Sequence, residues 1–166
     1  MPRPAGMTAT EISGARPLTA GERALSASMF GDAIDYDRVR LHRRKWWPFQ
    51  PRLVLMAPDG DIWFHPDGPH WREDFANAPL AAQGHFIHEM THVWQAQRGG
   101  RWWLPLMRHP FCRYGYRFVV DRPFTAYGIE QQAEIVRHAF LQRCGCRVEG
   151  AATLAQCEAV LPFRSV

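Results

Sequence analysis

Residues 84–95 read GHFIHEMTHVWQ and contain the H-E-x-x-H motif of His88, Glu89 and His92. Residues four apart lie one turn apart on the same face of an α-helix, so the two histidines can present imidazole nitrogens to one metal ion. Zinc accepts such ligands at about 2.0–2.1 Å. The Glu89 carboxylate would then lie beside the metal, where it can take a proton from activated water. The stretch predicts a zinc site on a helix.

The polar side chains of this motif are flanked by apolar residues, namely Phe86, Ile87, Met90, Val93 and Trp94. This pattern favours a buried helix over a solvated one, and we predict it from about residue 79 to 98, ended by Gly99 and Gly100. A buried polar group without a partner costs about 1–3 kcal/mol. The two histidines and the glutamate therefore need partners, which a bound metal would supply.

A catalytic zinc site normally has a third protein ligand. Glu130 and Glu134 are four residues apart in a second predicted helix, residues 125–143, with the small Ala133 between them to allow close helix packing. One carboxylate can bind zinc, and the other can accept the second N–H of a ligating histidine. We assign Glu130 to the metal and Glu134 to the histidine. The alternatives are a solvated acidic face, or a third ligand from among His85, His109, His138 and Asp121.

The segments HEMTHVWQ (88–95) and EQQAE (130–134) together resemble the gluzincin metallopeptidases. In that family H-E-x-x-H is followed by a helix carrying E-x-x-x-[D/E]. The resemblance implies that Glu130 is the third zinc ligand and that Glu134 orients a histidine. This chain has Glu rather than Asp at position 134, where the family pattern allows either residue. The longer Glu side chain can still reach an imidazole.

More closely, the chain is similar to small bacterial proteins described as Vgr-related or Rhs-element Vgr proteins, which occur near type VI secretion genes. The segments that carry this likeness are residues 18–40, 62–75, 88–95 and 123–140. The likeness implies a secretion-system protein as a partner.

The composition is that of an ordinary globular protein, with 46% apolar and 22% charged residues among 166. This length supports one domain with a real core. No apolar run approaches 18 residues, so no transmembrane segment is expected. Residues 1–17 are rich in Pro, Gly, Ser and Thr and lack the apolar core of a signal peptide. We therefore predict a disordered tail at 1–17 and a zincin-like domain at 18–166, cytoplasmic or exported by a route that needs no signal peptide.

The predicted fold is α+β, a small zincin whose helices carry the metal ligands beside a short antiparallel sheet or hairpin. Thr19 and Glu22 form a capping box that opens a helix ending near Phe30, before Gly31. Residues 52–57 and 62–65 are predicted to form a hairpin around the turn at 58–61. In zincins an edge strand of this kind holds the extended substrate, and the resemblance implies the same role here. A last helix is expected near residues 151–160.

A basic and aromatic stretch, LHRRKWW, occupies residues 41–47, and the chain has a net charge of +4. A stretch of this kind, in a chain with a net positive charge, raises nucleic-acid binding as an alternative function. Basic residues beside two tryptophans in a loop are more typical of a solvated edge with packed rings, so no nucleic-acid partner is expected. The positive charge could equally attract an acidic substrate or a cell-wall polymer.

The four cysteines, Cys112, Cys144, Cys146 and Cys157, contain no C-x-x-C pair and do not predict a structural zinc site. They would be reduced in a cytosolic protein, and a disulfide of Cys157 with Cys144 or Cys146 would require export. Three tyrosines are candidate donors to a tetrahedral oxyanion, namely Tyr114, Tyr116 and Tyr127.

The sequence thus predicts a zinc-dependent metallopeptidase. His88, His92 and Glu130 would bind zinc, and Glu89 would activate water for attack on a bond in a peptide or protein substrate. The alternative is a non-catalytic zinc-containing module with a structural or interaction role in a secretion system. Glu89 argues against that alternative, because a structural site does not need it.

Overall fold

The computed structural model describes residues 14–100 and 113–163. Within these ranges the regular elements are β1 (Ala15–Pro17), α1 (Ala20–Phe30), β2 (Arg40–His42), β3 (Ile62–Trp63), α2 (Leu80–Gly99), α3 (Ile129–Arg143) and α4 (Leu154–Val160). Short 3-10 turns lie at Tyr36–Arg38, Phe75–Asn77 and Phe124–Ala126. The predicted α+β class is confirmed. None of the helices in these ranges has the length and apolarity needed to cross a bilayer.

The three strands form one small mixed sheet in the order β1-β2-β3. β1 pairs with β2 in the antiparallel sense, with Arg16 opposite Leu41, whereas β2 and β3 are parallel. Residues 15–17, which were predicted to belong to a disordered tail, are therefore a strand at the edge of the sheet. The rest of the predicted tail, residues 1–13, lies outside the described residues.

The predicted hairpin at 52–57 and 62–65 is wrong in its first strand. Only Met56 pairs with Trp63, as an isolated antiparallel bridge. Pro51 begins a turn closed by a hydrogen bond from the Val54 N–H to its carbonyl (3.2 Å), and Pro58 follows closely. Proline supplies no backbone N–H for a ladder, so apolar composition alone did not produce a strand here.

The helix α2 is the centre of the fold, and every residue from Phe86 to Ala96 is buried. It begins and ends as predicted, with Gly100 after its last residue. A Cβ atom on Gly84 would lie 3.1 Å from Cδ2 of Leu141, so this glycine lets α2 and α3 approach closely. Ala133 on α3 is likewise fully buried. The absence of bulk at these positions brings the two helix backbones together.

The helix α3 begins at Ile129 rather than near residue 125. Pro123 instead opens the separate turn Phe124–Ala126, and Gly128 then precedes the helix. The last helix, α4, begins at Leu154, where Thr153 and Gln156 cap it reciprocally. Both helix starts are set by local capping contacts that satisfy the free backbone N–H groups.

The predicted capping box of α1 is present, and its glutamate has a second role. Glu22 is fully buried and accepts the backbone N–H of Thr19 at 2.9 Å. The same carboxylate accepts two hydrogen bonds of 2.8 Å from the guanidinium of Arg16 and one of 3.0 Å from the N–H of Phe75. One buried anion thus connects β1, α1 and the turn Phe75–Asn77.

Replacing this carboxylate should destabilise the whole domain. We expect Glu22→Ala to lower the free energy of unfolding by about 3–5 kcal/mol, because Arg16 would stay partly buried without its counter-ion. Urea denaturation measures the change. The matched control is Asp37→Ala, which removes an exposed pair with Arg23 and should cost at most about 1 kcal/mol. Equal losses in the two variants would contradict the role given to Glu22.

Candidate metal centre

Three side chains from α2 and α3 converge at the seam between these helices. The Nε2 atoms of His88 and His92 lie 3.3 Å apart, and Oε2 of Glu130 is 3.2 Å from the first and 3.1 Å from the second. All three residues are buried, and one possible ligand atom from each lies within 4.8 Å of the others. Two imidazole nitrogens and a carboxylate oxygen form a donor set that suits zinc.

Each histidine of this group is oriented through its other ring nitrogen. Nδ1 of His88 donates to Oε1 of Glu134 at 2.8 Å, and Nδ1 of His92 donates to Oε1 of Gln95 at the same distance. With the proton on Nδ1, the lone pair of each Nε2 points into the cluster. Glu134 therefore lies beside His88 rather than among the three converging atoms.

Gln95 was not predicted as a site residue. Besides His92 it contacts α3, donating from Nε2 to the Ile129 carbonyl (3.1 Å) and to Oε1 of Gln132 (2.9 Å). It therefore connects the orientation of a histidine to the position of α3. Its spacing of three residues from His92, on the same helix face, was the signal available in the sequence.

Glu134 belongs to a wider charged group on α3. It accepts from Nη1 of Arg137 at 3.0 Å and from Nε2 of His138 at 3.2 Å. Burial opposes its ionisation, but the hydrogen bonds from His138 and His88 hold the pKa of Glu134 well below its usual range. The carboxylate is thus a permanent anion beside His88.

Glu89 projects into an open cleft above the cluster. The residues lining this cleft are Leu53, Val54, Leu55, His70, His85, His88, Glu89, Tyr114, Glu134 and Arg137. Glu89 is buried, and no donor among the described residues reaches its Oε2 atom. A carboxylate in that position can accept a proton from a molecule that enters the cleft.

The competing third ligands that the structure describes do not join the three converging atoms. His85 lies at the outer part of the cleft, with its ring 6.1 Å from that of His70. His138 is held by Glu134, and Asp121 is exposed in a left-handed backbone conformation with φ of 64°. His109 lies outside the described residues.

The three candidate tyrosines occupy different surroundings. Tyr114 lines the cleft, and its ring stacks over that of His88 at 6.1 Å. The Tyr116 hydroxyl is 2.9 Å from Nδ1 of His138, and the Tyr127 hydroxyl accepts the N–H of Val119. Only Tyr114 of these three therefore faces the cleft.

The cysteines that the structure describes are free thiols. Cys144 and Cys146 are exposed, whereas Cys157 is buried near the carbonyl of Ala152. The disulfides considered for Cys157 are not formed. Cys112 lies outside the described residues.

These features define a small α+β domain with a candidate His/His/Glu metal centre between two helices. The chain is 40% identical over 136 residues to the type VI secretion system spike protein VgrG2b of Pseudomonas aeruginosa. That match covers 77% of this chain but only 13% of the spike protein. No protein-family model matches the chain.

A solved structure gives the relationship at the level of a domain. The effector domain of Pseudomonas aeruginosa VgrG2b superposes with a TM-score of 0.70 at 36% identity, over 87% of this chain and 80% of that one. The chain belongs to the family of this VgrG2b effector domain. The likeness to Vgr-related proteins seen in the sequence is thereby confirmed.

The metal-free protein should show a pH dependence that comes from His88. Burial opposes protonation, but hydrogen bonds to Glu130 and Glu134 outweigh it and raise the pKa of His88 from 6.5 to about 9. A raised pKa in the folded state gives stability that is complete below pH 6.5 and is lost as the pH rises through about 9. We expect the free energy of unfolding to fall across this window.

Urea denaturation in the presence of a chelator, at several pH values between about 6 and 10, measures this fall. Glu134→Gln removes one of the two carboxylates and should make the fall smaller. A wild-type profile that is flat over this range, or one unchanged by Glu134→Gln, would contradict the assignment.

Proposed function

We propose that this chain is a zinc-dependent metallopeptidase domain of the gluzincin kind. The observation that carries the proposal is the convergence of His88, His92 and Glu130 below a cleft that Glu89 also lines. A structural zinc site is usually closed by four protein ligands, whereas a catalytic site has three and an accessible position. Three buried ligand atoms beside an open cleft match the second arrangement.

The donor set and its surroundings fit a zinc ion. Because each Nδ1 donates to its own oxygen acceptor, both Nε2 lone pairs would be directed to one point once Nε2 is deprotonated, and the Glu130 carboxylate lies at the same point. Zinc bound at that point would polarise a carbonyl group and make water more acidic. His88, His92 and Glu130 are the residues that would hold it, with Glu134 and Gln95 orienting the histidines.

The protein side chains can perform the proton transfers of amide hydrolysis. The oxygen of a water molecule attacks the carbonyl carbon of a peptide bond while Glu89 accepts a proton from that water. The C–N bond then breaks, and Glu89 returns that proton to the leaving nitrogen. Tyr114, which lines the cleft, is the candidate donor of a hydrogen bond to the negative oxygen that develops on the former carbonyl. The reaction thus adds one water molecule across the peptide C–N bond, and Glu89 returns to its initial protonation state.

The first experiment is zinc analysis of the purified protein beside Glu130→Ala and Glu89→Gln. We expect one zinc per chain in the wild type and in Glu89→Gln, and little in Glu130→Ala, because Glu130 is a proposed ligand and Glu89 is not. Peptide hydrolysis by Glu89→Gln should fall by about 10²–10⁴-fold with zinc retained. If the wild-type protein cannot be loaded with zinc, the proposed enzymatic function is wrong and a non-catalytic interaction module is favoured.

A second prediction concerns the orienting carboxylate. Glu134→Gln keeps the shape of the side chain but removes its charge, so zinc affinity should fall by about 10–100-fold. Competition with a chromophoric chelator measures this affinity. Glu149→Gln makes the same chemical change at an exposed position and should leave the affinity unaltered. Loss of affinity in both variants would argue against a specific role for Glu134.

The family relationship also supports a proposal for the biological setting. The relative is a spike protein of a type VI secretion system, and its matching part is described as an effector domain. We propose that the present chain is likewise delivered by such an apparatus, a route that needs no signal peptide. Its partners would then be a secretion-system protein and a peptide or protein substrate.

A further inference from the structure

Residues 43–54, RRKWWPFQPRLV, form an exposed segment that we call the basic-aromatic loop. It carries five of the eight large apolar side chains that are exposed in the described residues, namely Trp46 (37%), Trp47 (40%), Phe49 (79%), Leu53 (72%) and Val54 (38%). Scattered single apolar residues are normal on a surface, but a contiguous group marks a contact site. The sequence pattern predicts packed rings for these two tryptophans, whereas the structure leaves both of them exposed.

Hydrogen bonds of one buried side chain, rather than packing of the apolar side chains, stabilise the conformation of the loop. Gln50 is buried, and its Oε1 atom accepts the N–H of Trp46 at 2.8 Å. Its Nε2 atom donates to the carbonyls of Val54 (2.8 Å) and Trp63 (3.3 Å). Because these contacts satisfy the backbone, the loop can present apolar side chains outward without any of them being needed to close it.

All charged side chains of the loop are positive. It contains four cations, Arg43, Arg44, Lys45 and Arg52, and no acidic residue. The whole chain has 20 Lys and Arg against 16 Asp and Glu, so these four account for its entire excess of +4. Among the described residues, the one carboxylate that forms an ion pair with these cations is that of Asp67, 3.8 Å from Arg52, and both members of this pair are exposed. The loop therefore presents positive charge around an apolar centre.

We propose that the basic-aromatic loop docks on the surface of a membrane containing anionic lipids. Tryptophan is favoured at the headgroup level, aliphatic and phenyl side chains enter the acyl boundary, and Lys and Arg bind anionic headgroups. A nucleic acid would satisfy the cations and could stack on the aromatic rings, but it would give no reason for exposing Leu53 and Val54. Leu53 and Val54 also line the cleft above the candidate metal centre. Docking would hold that cleft at the lipid surface.

The test is co-sedimentation of the whole chain with lipid vesicles, with no metal or substrate added, so that its result does not depend on the proposed enzyme. We expect binding to phosphatidylcholine vesicles containing about 30% phosphatidylglycerol, and weak binding to phosphatidylcholine alone. Binding should decline between about 0.1 M and about 0.5 M salt, because salt screens the charges.

Two pairs of variants separate the apolar and the charged contributions. Trp47→Ala with Phe49→Ala should weaken binding at least about tenfold, since both rings leave water on docking. Lys45→Gln with Arg52→Gln should weaken it about 25-fold, each cation contributing about fivefold. The matched controls lie elsewhere on the surface. They are Val119→Ala with Val120→Ala, and Arg117→Gln with Arg147→Gln, and both should bind like the wild type.

Three results would overturn the proposal: no binding to anionic vesicles, equal binding to neutral ones, or equal losses in the loop and control variants. Circular dichroism of each variant confirms folding, which is expected because the altered side chains are exposed. If vesicles fail to bind while the loop variants lose binding to a protein or a nucleic acid, the loop is a docking site for that molecule instead.

Discussion

The packing of α2 against α3 is the contact on which the rest of the candidate site depends. His88 and His92 lie on one helix and Glu130 on the other, and Oε2 of Glu130 comes within 3.1–3.2 Å of the two Nε2 atoms because the helices pack closely. Gly84 permits that closeness, since any larger residue would meet Leu141. Small residues at a helix seam therefore decide whether three polar groups form one site.

A buried polar seam of this kind requires every member to have a partner. His88, Glu134 and Gln95 meet this requirement through hydrogen bonds that run in both directions between the helices, whereas no donor among the described residues reaches Oε2 of Glu89. Glu134 on α3 holds His88 on α2, and Gln95 on α2 contacts the Ile129 carbonyl and Gln132 on α3. The hydrogen bonds that orient the converging side chains thus also join the helices, so the geometry of the candidate site and the stability of the fold are coupled.

The residues that line the cleft beside this seam differ in polarity from one side to the other. The cleft has charged and polar residues on the α2 and α3 side, and leucine and valine from the basic-aromatic loop on the other. Gln50 holds that loop by its backbone and leaves its apolar side chains exposed. The same segment can therefore form one wall of the cleft and an outward-facing contact surface.

The sequence alone determined what depends on local periodicity. Spacing of four residues placed His88 with His92 and Glu130 with Glu134, and the capping box marked the start of α1, because helix geometry relates such neighbours whatever surrounds them. The α+β class followed from the same patterns. These features needed no knowledge of which element lies against which.

Only the tertiary structure decided what depends on contacts between distant segments. The meeting of α2 with α3 joins residues some forty positions apart, and it decided that Glu134 contacts His88 and that Glu130 reaches both histidines. Apolar composition suggested a strand at 52–57, but the flanking prolines and the contacts of Gln50 produced an exposed loop. Strand formation depends on a partner for the backbone, and no local pattern of side chains specifies that partner.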